Sequence, residues 1–469
     1  MKNKQRDIAL EIISDYYKFF RWAWPILSQE EFIPNWHIKK IARRLQKVGI
    51  AIVDRKKPDY LTNLFSVPPG STKSTLISQC WIIWLWCLDP SIKLMNVSYS
   101  AGASLKNSQM AKILFKSEEF QGLFMPLIKQ MHGKNIELTK DWADDWDNNF
   151  GGKFFATSMK GEATSYHFHV IVFDDPMNAK VADSDTERNA YNRLHDFTFP
   201  SRKVNPEITP VIYVGQRFNE ADTLGYVMKK NESYYYLCLP AELNDSVSPP
   251  EMADYYVDGL LNPIRHNIEV LNKFKVDLGS FGYACQYLQS PYPEAGGHIK
   301  KDWFVYLDSA PDIVYDLWID GAYTEKAEND PSGFMIAGFD YQNNRIAVKY
   351  ATSEWLTIPD VLKRVKELMT EHCNNASMIF IEPKASGYSF IQMIQTETLY
   401  NVSRITGRLV QDGKMARVKY AAPKAESSRV CLVRGNWNTE FVAQLTAFPN
   451  YSHDEFCDLL GYSVKKYFG

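Results

Sequence analysis

The sequence predicts an α/β protein in two parts, the first of which contains a mostly parallel sheet. In this first part, apolar runs at 153–157, 169–173 and 210–214 are nearly continuous instead of alternating. Such runs are typical of strands that are covered on both faces. In the second part, three strand-like runs precede a helix and a fourth strand. We therefore expect a sheet covered by helices in each part.

The clearest unit of the first part begins near residue 61. A strand at 61–67 is followed by a Gly/Pro loop, an apolar helix at 74–88 and a strand at 93–98. This succession is a βαβ unit, which makes its two strands parallel. A helix at 36–48, in which apolar residues recur at helical spacing, precedes it.

The second part begins after Trp303. Its predicted elements are strands at 315–319, 333–340, 345–352 and 378–382, with a helix at 358–372. Three strands, a helix and another strand resemble the order of an RNase H-like fold. Composition shifts at 244–263 and 290–297, where Asn, Asp, Ser, Pro and Gly cluster. We predict an N-terminal domain at 1–245, a linker region at 246–300 and a C-terminal domain at 301–469.

Composition excludes several classes of protein. The 469 residues are 45% hydrophobic and 23% charged, as in ordinary globular proteins. The net charge of −2 excludes a uniformly basic surface, so any nucleic-acid contact must be local. Seven scattered cysteines without Cys-x-x-Cys spacing predict a reducing environment. We expect no signal peptide, because the segment at 7–20 is amphipathic and contains Glu11 and Asp15. We expect no membrane association, because the most apolar run, at 80–88, is too short to span a bilayer.

A loop after the first strand has the composition of a phosphate-binding loop. It contains Pro69, Gly70, Ser71, Thr72, Lys73, Ser74 and Thr75 between an apolar strand and an apolar helix. Backbone N–H groups in such a loop cradle phosphate oxygens, while Lys73 reaches the β/γ phosphates and Ser74 ligates Mg²⁺. The strict P-loop pattern has glycines where this chain has Val67 and Thr72. The alternative is a Pro/Gly turn with a solvated lysine.

Two adjacent carboxylates follow the strand at 169–173. Asp174 and Asp175 lie at its carboxyl end, the edge of a parallel sheet at which ligands bind. In a Walker B role, Asp174 holds Mg²⁺ and Asp175 orients the attacking water. An ordinary turn is the alternative, and the presence of Lys73 and Ser74 disfavours it. Gln216, after the strand at 210–214, is a candidate sensor of the γ-phosphate or a simple strand cap.

The second part offers acidic residues for a metal-dependent nuclease. Two-metal hydrolysis of a phosphodiester needs several converging carboxylates. Asp320 and Glu382 each end a predicted strand, with Asp330 as a possible accessory. Asp454 and Asp458 are four residues apart on a predicted helix and would face the same way. The sequence does not decide which of these two contacts metal, and Asp454 can equally be a helix N-cap.

A basic segment at 404–434 follows these strands. It contains eight Lys or Arg residues and two acidic ones, a net charge of +6. Phosphate contacts made by such a segment are independent of base sequence and sensitive to salt. A solvated charged loop is the alternative.

Taken in order, the motifs resemble the large terminase subunit of tailed bacteriophages. The resemblance begins at 36–42 and continues through 67–74, 98–100, 117–120, 173–176 and 216–225. It implies a P-loop ATPase that moves DNA, followed by an RNase H-like endonuclease that cuts it. It also implies ATP and Mg²⁺ as cofactors, with Mn²⁺ as a substitute at the nuclease. The catalytic residues implied are Lys73, Asp175, Asp320, Glu382 and Asp458, and the metal ligands are Ser74, Asp174, Asp320, Glu382, Asp454 and Asp458.

Partners and location follow from the same resemblance. It implies double-stranded DNA, the portal protein of the procapsid and a small terminase subunit as partners. It implies a homo-oligomeric ring on the portal, although isolated subunits of this kind can be monomers. The expected location is the host cytoplasm, with transient docking on the procapsid and absence from the mature virion.

Two departures from the family pattern stand out. The family often has glutamate at the position of Asp175, which is one methylene shorter. It also supplies an arginine finger, but the segment at 108–117 offers only lysines. The alternative sources are Arg188, Arg193, Arg202 and Arg217.

Two other functions stay open. One is a P-loop translocase or helicase whose C-terminal domain binds DNA without cutting it. The other is a DNA-binding assembly protein with a degenerate P-loop.

Overall fold

A computed structural model describes residues 3–161, 166–291, 298–321, 331–382, 387–405, 413–448, 451 and 453–469. The chain divides into two compact units, one formed by residues 1–271 and 282–293 and the other by 272–281 and 294–469. Asp330, together with Arg408 and Asp412 of the basic segment, lies outside the described residues. Within the described part, we find no helix with the length and apolar character needed to cross a bilayer.

The first unit begins with helices and then alternates strands and helices. In chain order its elements are α1 (Asn3–Ile13), α2 (Tyr16–Leu27), α3 (Trp36–Val53), β1 (Thr62–Ser66), a π-helical turn (Thr75–Cys80) that continues into α4 (Trp81–Leu88), β2 (Lys93–Ser98), α5 (Ala101–Lys116), α6 (Glu118–Leu123), α7 (Met125–His132), β3 (Leu138–Asp141), β4 (Asp145–Asn148), β5 (Lys153–Ser158), β6 (Val170–Asp174), α8 (Ala179–Asp183), α9 (Asp185–Thr198), β7 (Val211–Gly215), α10 (Thr223–Lys230) and β8 (Tyr235–Cys238). The next helix, α11 (Ile268–Gln286), has residues in both units.

Eight strands form the sheet of the first unit, in the order β3-β4-β5-β2-β6-β7-β1-β8. Six neighbouring strands of this sheet, β5, β2, β6, β7, β1 and β8, are parallel to one another. At one edge, β4 pairs antiparallel with both β3 and β5. The mostly parallel sheet is therefore confirmed. Strand β7 lies between β1, which leads into the phosphate-binding loop, and β6, which ends in Asp174. All three carboxyl ends consequently meet at one edge of the sheet.

The helix after the loop anchors this edge to the core. The predicted helix at 74–88 divides into a π-helical turn and α4, and the side chains of Trp81, Trp84 and Trp86 are buried. Gly49 of α3 allows a close approach, because a Cβ there would lie 2.6 Å from the Trp84 ring. Burial of such large rings supplies much of the apolar free energy that holds the loop in place.

The second unit contains a mixed sheet with helices. Its elements are β9 (Val305–Leu307), β10 (Asp316–Asp320), β11 (Ser332–Asp340), β12 (Arg345–Glu354), α12 (Ile358–His372), β13 (Met378–Ile381), α13 (Gly387–Glu397), β14 (Asn401–Arg404), α14 (Lys414–Glu426), β15 (Val430–Val433), α15 (Asn438–Ala447) and α16 (Glu455–Phe468). The sheet order is β14-β13-β10-β11-β12-β15-β9. Strands β10, β11 and β12 are antiparallel neighbours, and β13 is parallel to β10. The predicted RNase H-like order is thus confirmed.

Sheet pairing brings the ends of β10 and β13 together. Ile319 pairs with Ile381, and the backbone N–H of Glu382 donates to the Ile319 carbonyl across 3.2 Å. Helix α16 starts above β11, where a Cβ on Gly333 would lie 2.6 Å from the Cβ of Glu455. Three separate elements therefore meet around the carboxyl end of β10.

Candidate functional sites

The loop that follows β1 turns through two residues with left-handed backbone. Gly70 has φ of +77° and Thr72 has φ of +60°. Glycine adopts such angles without strain, whereas a β-branched residue rarely does. Thr72 occupies one of the glycine positions of the strict motif, so the backbone keeps the shape that glycine would favour. The loop closes onto the following turn through a hydrogen bond from the Leu76 N–H to the Thr72 carbonyl, 3.1 Å long.

The loop and the end of β6 come together as the sequence predicts. Lys73 Nζ lies 2.9 Å from Asp175 Oδ1, and Ser74 Oγ donates to Asp174 Oδ1 across 3.1 Å. The Lys73 side chain is 8% exposed and that of Asp175 is 30% exposed. One cation, one hydroxyl and two carboxylates thus converge at the carboxyl edge of the sheet.

Asp174 lies deeper than its neighbour. Its Oδ2 accepts hydrogen bonds from Ser78 Oγ at 2.8 Å and from Asn107 Nδ2 at 2.9 Å. Burial and the charge of Asp175 raise the pKa of Asp174 to about 6, against the opposing effect of Lys73 and the serine hydroxyls. A carboxylate and a hydroxyl are the oxygen ligands that Mg²⁺ prefers, and a divalent cation would favour the ionised acid. Asp174 and Ser74 therefore fit a magnesium site.

The backbone of Asp175 explains why an aspartate can stand here. Its φ is +46°, in the left-handed region where Asp and Asn are enriched among residues other than glycine. Its N–H donates to the Val214 carbonyl at 2.8 Å, and its carbonyl accepts from the Tyr99 N–H at 3.0 Å. Gly215, just before Gln216, passes close by, because a Cβ there would lie 3.2 Å from Asp175 Oδ1.

The four candidate arginine fingers have different surroundings. Arg217 is buried and pairs with Asp222 at 3.0 Å, and Arg188 pairs with Asp185 of its own helix. Arg193 is exposed and Arg202 is half-buried. Arg217 and Arg188 therefore have structural partners within their own unit, while Arg193 is the candidate with the most exposed side chain.

Three acidic residues of the second unit gather into one group. Ligand oxygens of Asp320, Glu382 and Asp458 all lie within 4.8 Å of one another, and all three side chains are buried. They come from the ends of β10 and β13 and from the first turns of α16. Burial of three carboxylates together is costly unless cations neutralise them. An oxygen-only group of this kind fits Mg²⁺ or Mn²⁺.

The structure separates the two aspartates that the sequence left undecided. Asp454 precedes the first residue of α16 and its side chain pairs with Lys414. Asp458 is one turn into the helix and fully buried. Among the described residues, the acidic group contains Asp458 and not Asp454. Helix α16 begins at Glu455, so Asp454 lies just before the helix. The two aspartates therefore do not share a helical face.

Two further side chains hold the acidic group in place. The Tyr462 hydroxyl donates to Glu382 Oε1 at 2.7 Å. Arg417 Nε lies 2.7 Å from Asp458 Oδ1, and the Arg417 side chain is only 6% exposed. The sequence grouped Arg417 with a basic segment for DNA contacts, and this grouping needs correction because its guanidinium points inward. No local sequence signal identified Tyr462, Ser78 or Asn107.

Comparison with known proteins gives a likeness of fold. No family model matches the chain, and no curated protein does. Among solved structures, the large terminase of a thermophilic bacteriophage in complex with ADP covers 89% of this chain and 98% of its own, with 11% identity and a TM-score of 0.49. The large terminase nuclease of thermophilic phage G20c with bound magnesium covers 37% of this chain and 99% of its own (14% identity, TM-score 0.28).

A third solved structure, the large terminase nuclease domain of P22, covers 35% of this chain and 88% of its own. Its identity is 10% and its TM-score is 0.28. At identities and TM-scores this low, we base the function proposed below on the geometry of the two sites.

Proposed function

We propose that this chain is a viral DNA-packaging motor. ATP hydrolysis in the first unit would drive double-stranded DNA into a procapsid, and a metal-dependent endonuclease in the second unit would cut concatemeric DNA. The main support is that one chain contains two groups of side chains suited to these activities. The first consists of Lys73, Ser74, Asp174 and Asp175, and the second is the buried group of three acids. A phosphate-binding loop beside two carboxylates suits a nucleotide, and clustered carboxylates suit metal-dependent phosphodiester hydrolysis.

In the first site, each side chain has a separate task. Lys73 would turn from Asp175 to the β/γ phosphates, which leaves Asp175 free to orient a water molecule. Ser74 and Asp174 would hold Mg²⁺, which neutralises charge on the phosphates during transfer. Gln216, at the end of β7 between the loop and the acids, would contact the γ-phosphate.

In the second site, Asp320, Glu382 and Asp458 would hold two divalent ions. Such ions activate a water molecule and stabilise the leaving oxygen of the phosphodiester. Tyr462 orients Glu382, and Arg417 orients Asp458. Positioning of this kind keeps the ligand oxygens in place without help from the substrate.

The partners and the location are also proposals. We propose a ring of subunits on the portal protein, with DNA delivered by a small terminase subunit. Assembly would take place in the host cytoplasm with transient docking on the procapsid. These proposals rest on the resemblance of the motifs and on no contact within the chain.

Two assays test the two activities. We expect DNA-stimulated ATP hydrolysis that Lys73→Ala abolishes and that Lys129→Ala, at an exposed position, leaves unchanged. We expect Mn²⁺-dependent nicking of plasmid DNA that Asp320→Ala abolishes. Absence of both activities from the wild-type chain would contradict the proposal.

A second candidate function is a P-loop translocase or helicase whose second unit binds DNA without cutting it. The observation that favours it is the buried Arg417, whose positive charge already lies against Asp458. DNA-stimulated ATP hydrolysis without any nicking by the wild type would select this alternative.

A further inference from the structure

A buried polar network lies behind the carboxylate of Asp174. Asn107, on α5, is 5% exposed, and its Nδ2 donates to Asp174 Oδ2 at 2.9 Å and to Asn96 Oδ1 at 3.3 Å. Its Oδ1 accepts from Gln79 Nε2 at 3.0 Å. The amide of Asn107 thus uses both its donor and its acceptor inside the protein.

These contacts fix the orientation of the Asn107 amide. An amide can present either its oxygen or its nitrogen in a given direction. Gln79 donates to the oxygen, and the carboxylate of Asp174 accepts from the nitrogen. A flipped amide would place two acceptors face to face at Asp174 and two donors face to face at Gln79, which buried groups do not tolerate.

The two oxygens of Asp174 have different partners. Oδ2 accepts from Ser78, on the π-helical turn, and from Asn107, on α5. Oδ1 contacts Ser74, the first residue after Lys73. With Oδ2 held by two donors, the carboxylate cannot rotate without losing hydrogen bonds in a buried place.

We propose that Asn107 is a positioning residue for the ATPase site, holding Asp174 so that Oδ1 faces the metal and the nucleotide. This inference rests on the function proposed above for that site. Asn107 belongs neither to the phosphate-binding loop nor to β6, so helix α5 becomes part of the nucleotide site.

The test measures how Mg²⁺ affects binding of the fluorescent nucleotide MANT-ADP to the full chain. We expect Asn107→Ala to raise the MgCl₂ concentration for half-maximal effect about tenfold, since a hydrogen bond to a charged group is lost. MANT-ADP affinity in EDTA should stay unchanged, and kcat for ATP should fall about tenfold. Asn107→Leu, which fills the same space, should act in the same way.

The matched control is Ser108→Ala, at the next position of α5. The Ser108 side chain is buried, and its hydroxyl donates to the Ala143 carbonyl at 2.7 Å and accepts from Trp146 Nε1 at 3.0 Å. We expect this variant to lower the melting temperature while leaving the MgCl₂ dependence near that of the wild type. Equal MgCl₂ dependence in Asn107→Ala, Asn107→Leu and the wild type would overturn the inference.

A wild-type chain without any effect of MgCl₂ on MANT-ADP binding would instead contradict the proposed function itself. So would MANT-ADP binding that Lys73→Ala leaves unchanged. The two failures are therefore distinguishable in one set of titrations.

Discussion

Gly461 of α16 lies against Arg417 of α14 at a distance that only a glycine permits. A Cβ on Gly461 would lie 2.6 Å from the Cβ of Arg417 and 3.0 Å from its carbonyl oxygen. Asp458 lies one turn earlier on α16 and contacts the Arg417 guanidinium. The close approach of the two helices therefore sets the position of the third acid.

We expect Gly461→Ala to force α14 and α16 apart. The added methyl group meets backbone as well as side chain, so the free energy of unfolding should fall by about 2 kcal/mol. Plasmid nicking should fall with it, because Asp458 moves relative to Asp320 and Glu382. Urea unfolding and the nicking assay measure the two effects. Gly413→Ala is the control, since a Cβ there meets nothing within 4 Å, and equal behaviour of the two variants would contradict this account.

We expect Thr72→Gly to stabilise the protein. Thr72 has φ of +60°, which costs a β-branched residue free energy that glycine avoids. Part of this gain is lost to the greater freedom of glycine in the unfolded chain, so the net increase should be about 1 kcal/mol. Thermal unfolding measures it, with Thr72→Ala as the control that keeps a Cβ. A melting temperature of Thr72→Gly below that of Thr72→Ala would refute the strain argument.

We expect Asp174→Asn to raise the free energy of unfolding at pH 8 and to leave it unchanged near pH 4. The folded pKa of Asp174 is raised from 3.8 to about 6, so the folded chain binds its proton more tightly than the unfolded chain. Ionisation therefore destabilises the fold as pH rises from about 4 to 6, and the loss is complete above pH 6. Asparagine cannot ionise and should be about 3 kcal/mol more stable than the wild type at pH 8.

This difference should vanish near pH 4. Urea unfolding in EDTA at the two pH values is the measurement, and Asp254→Asn, at an exposed position, is the control. A gain of equal size at both pH values would show that burial does not raise the pKa of Asp174.

We expect Tyr462→Phe to impair nicking more than stability. The substitution keeps the ring and removes the hydroxyl, which donates to Glu382 Oε1 and accepts from Arg417 Nη1. Loss of one such bond to a carboxylate should reduce the rate of nicking about tenfold and the free energy of unfolding by about 1 kcal/mol. Tyr420→Phe, on the exposed side of α14, is the control. Identical nicking rates in Tyr462→Phe and the wild type would contradict a positioning role for the hydroxyl.

The residues that the sequence could predict lie at the ends of apolar strands. Asp174, Asp320 and Glu382 lie at the ends of such runs. In the first sheet, the direction of the parallel strands brings Asp174 to the edge where the phosphate-binding loop lies, and in the second sheet it brings Asp320 and Glu382 together. The sequence could not choose between Asp454 and Asp458, because a shift of one residue at a helix start changes which side chains share a face.

The site residues that the sequence did not predict lie on helices that are distant in sequence from the acids they contact. Asn107, Arg417 and Tyr462 contact acids 67, 41 and 80 positions away. Helical periodicity indicates which face is buried and not which partner it meets, so no local pattern identifies these contacts.

The register of β10 and β13 has a further consequence. Ile319 faces Ile381 across the ladder, so Asp320 and Glu382 emerge side by side from backbone hydrogen bonds that any sequence can make. Flanking residues can therefore drift widely over evolutionary time, provided that they stay apolar and strand-forming, while the pair keeps its spacing.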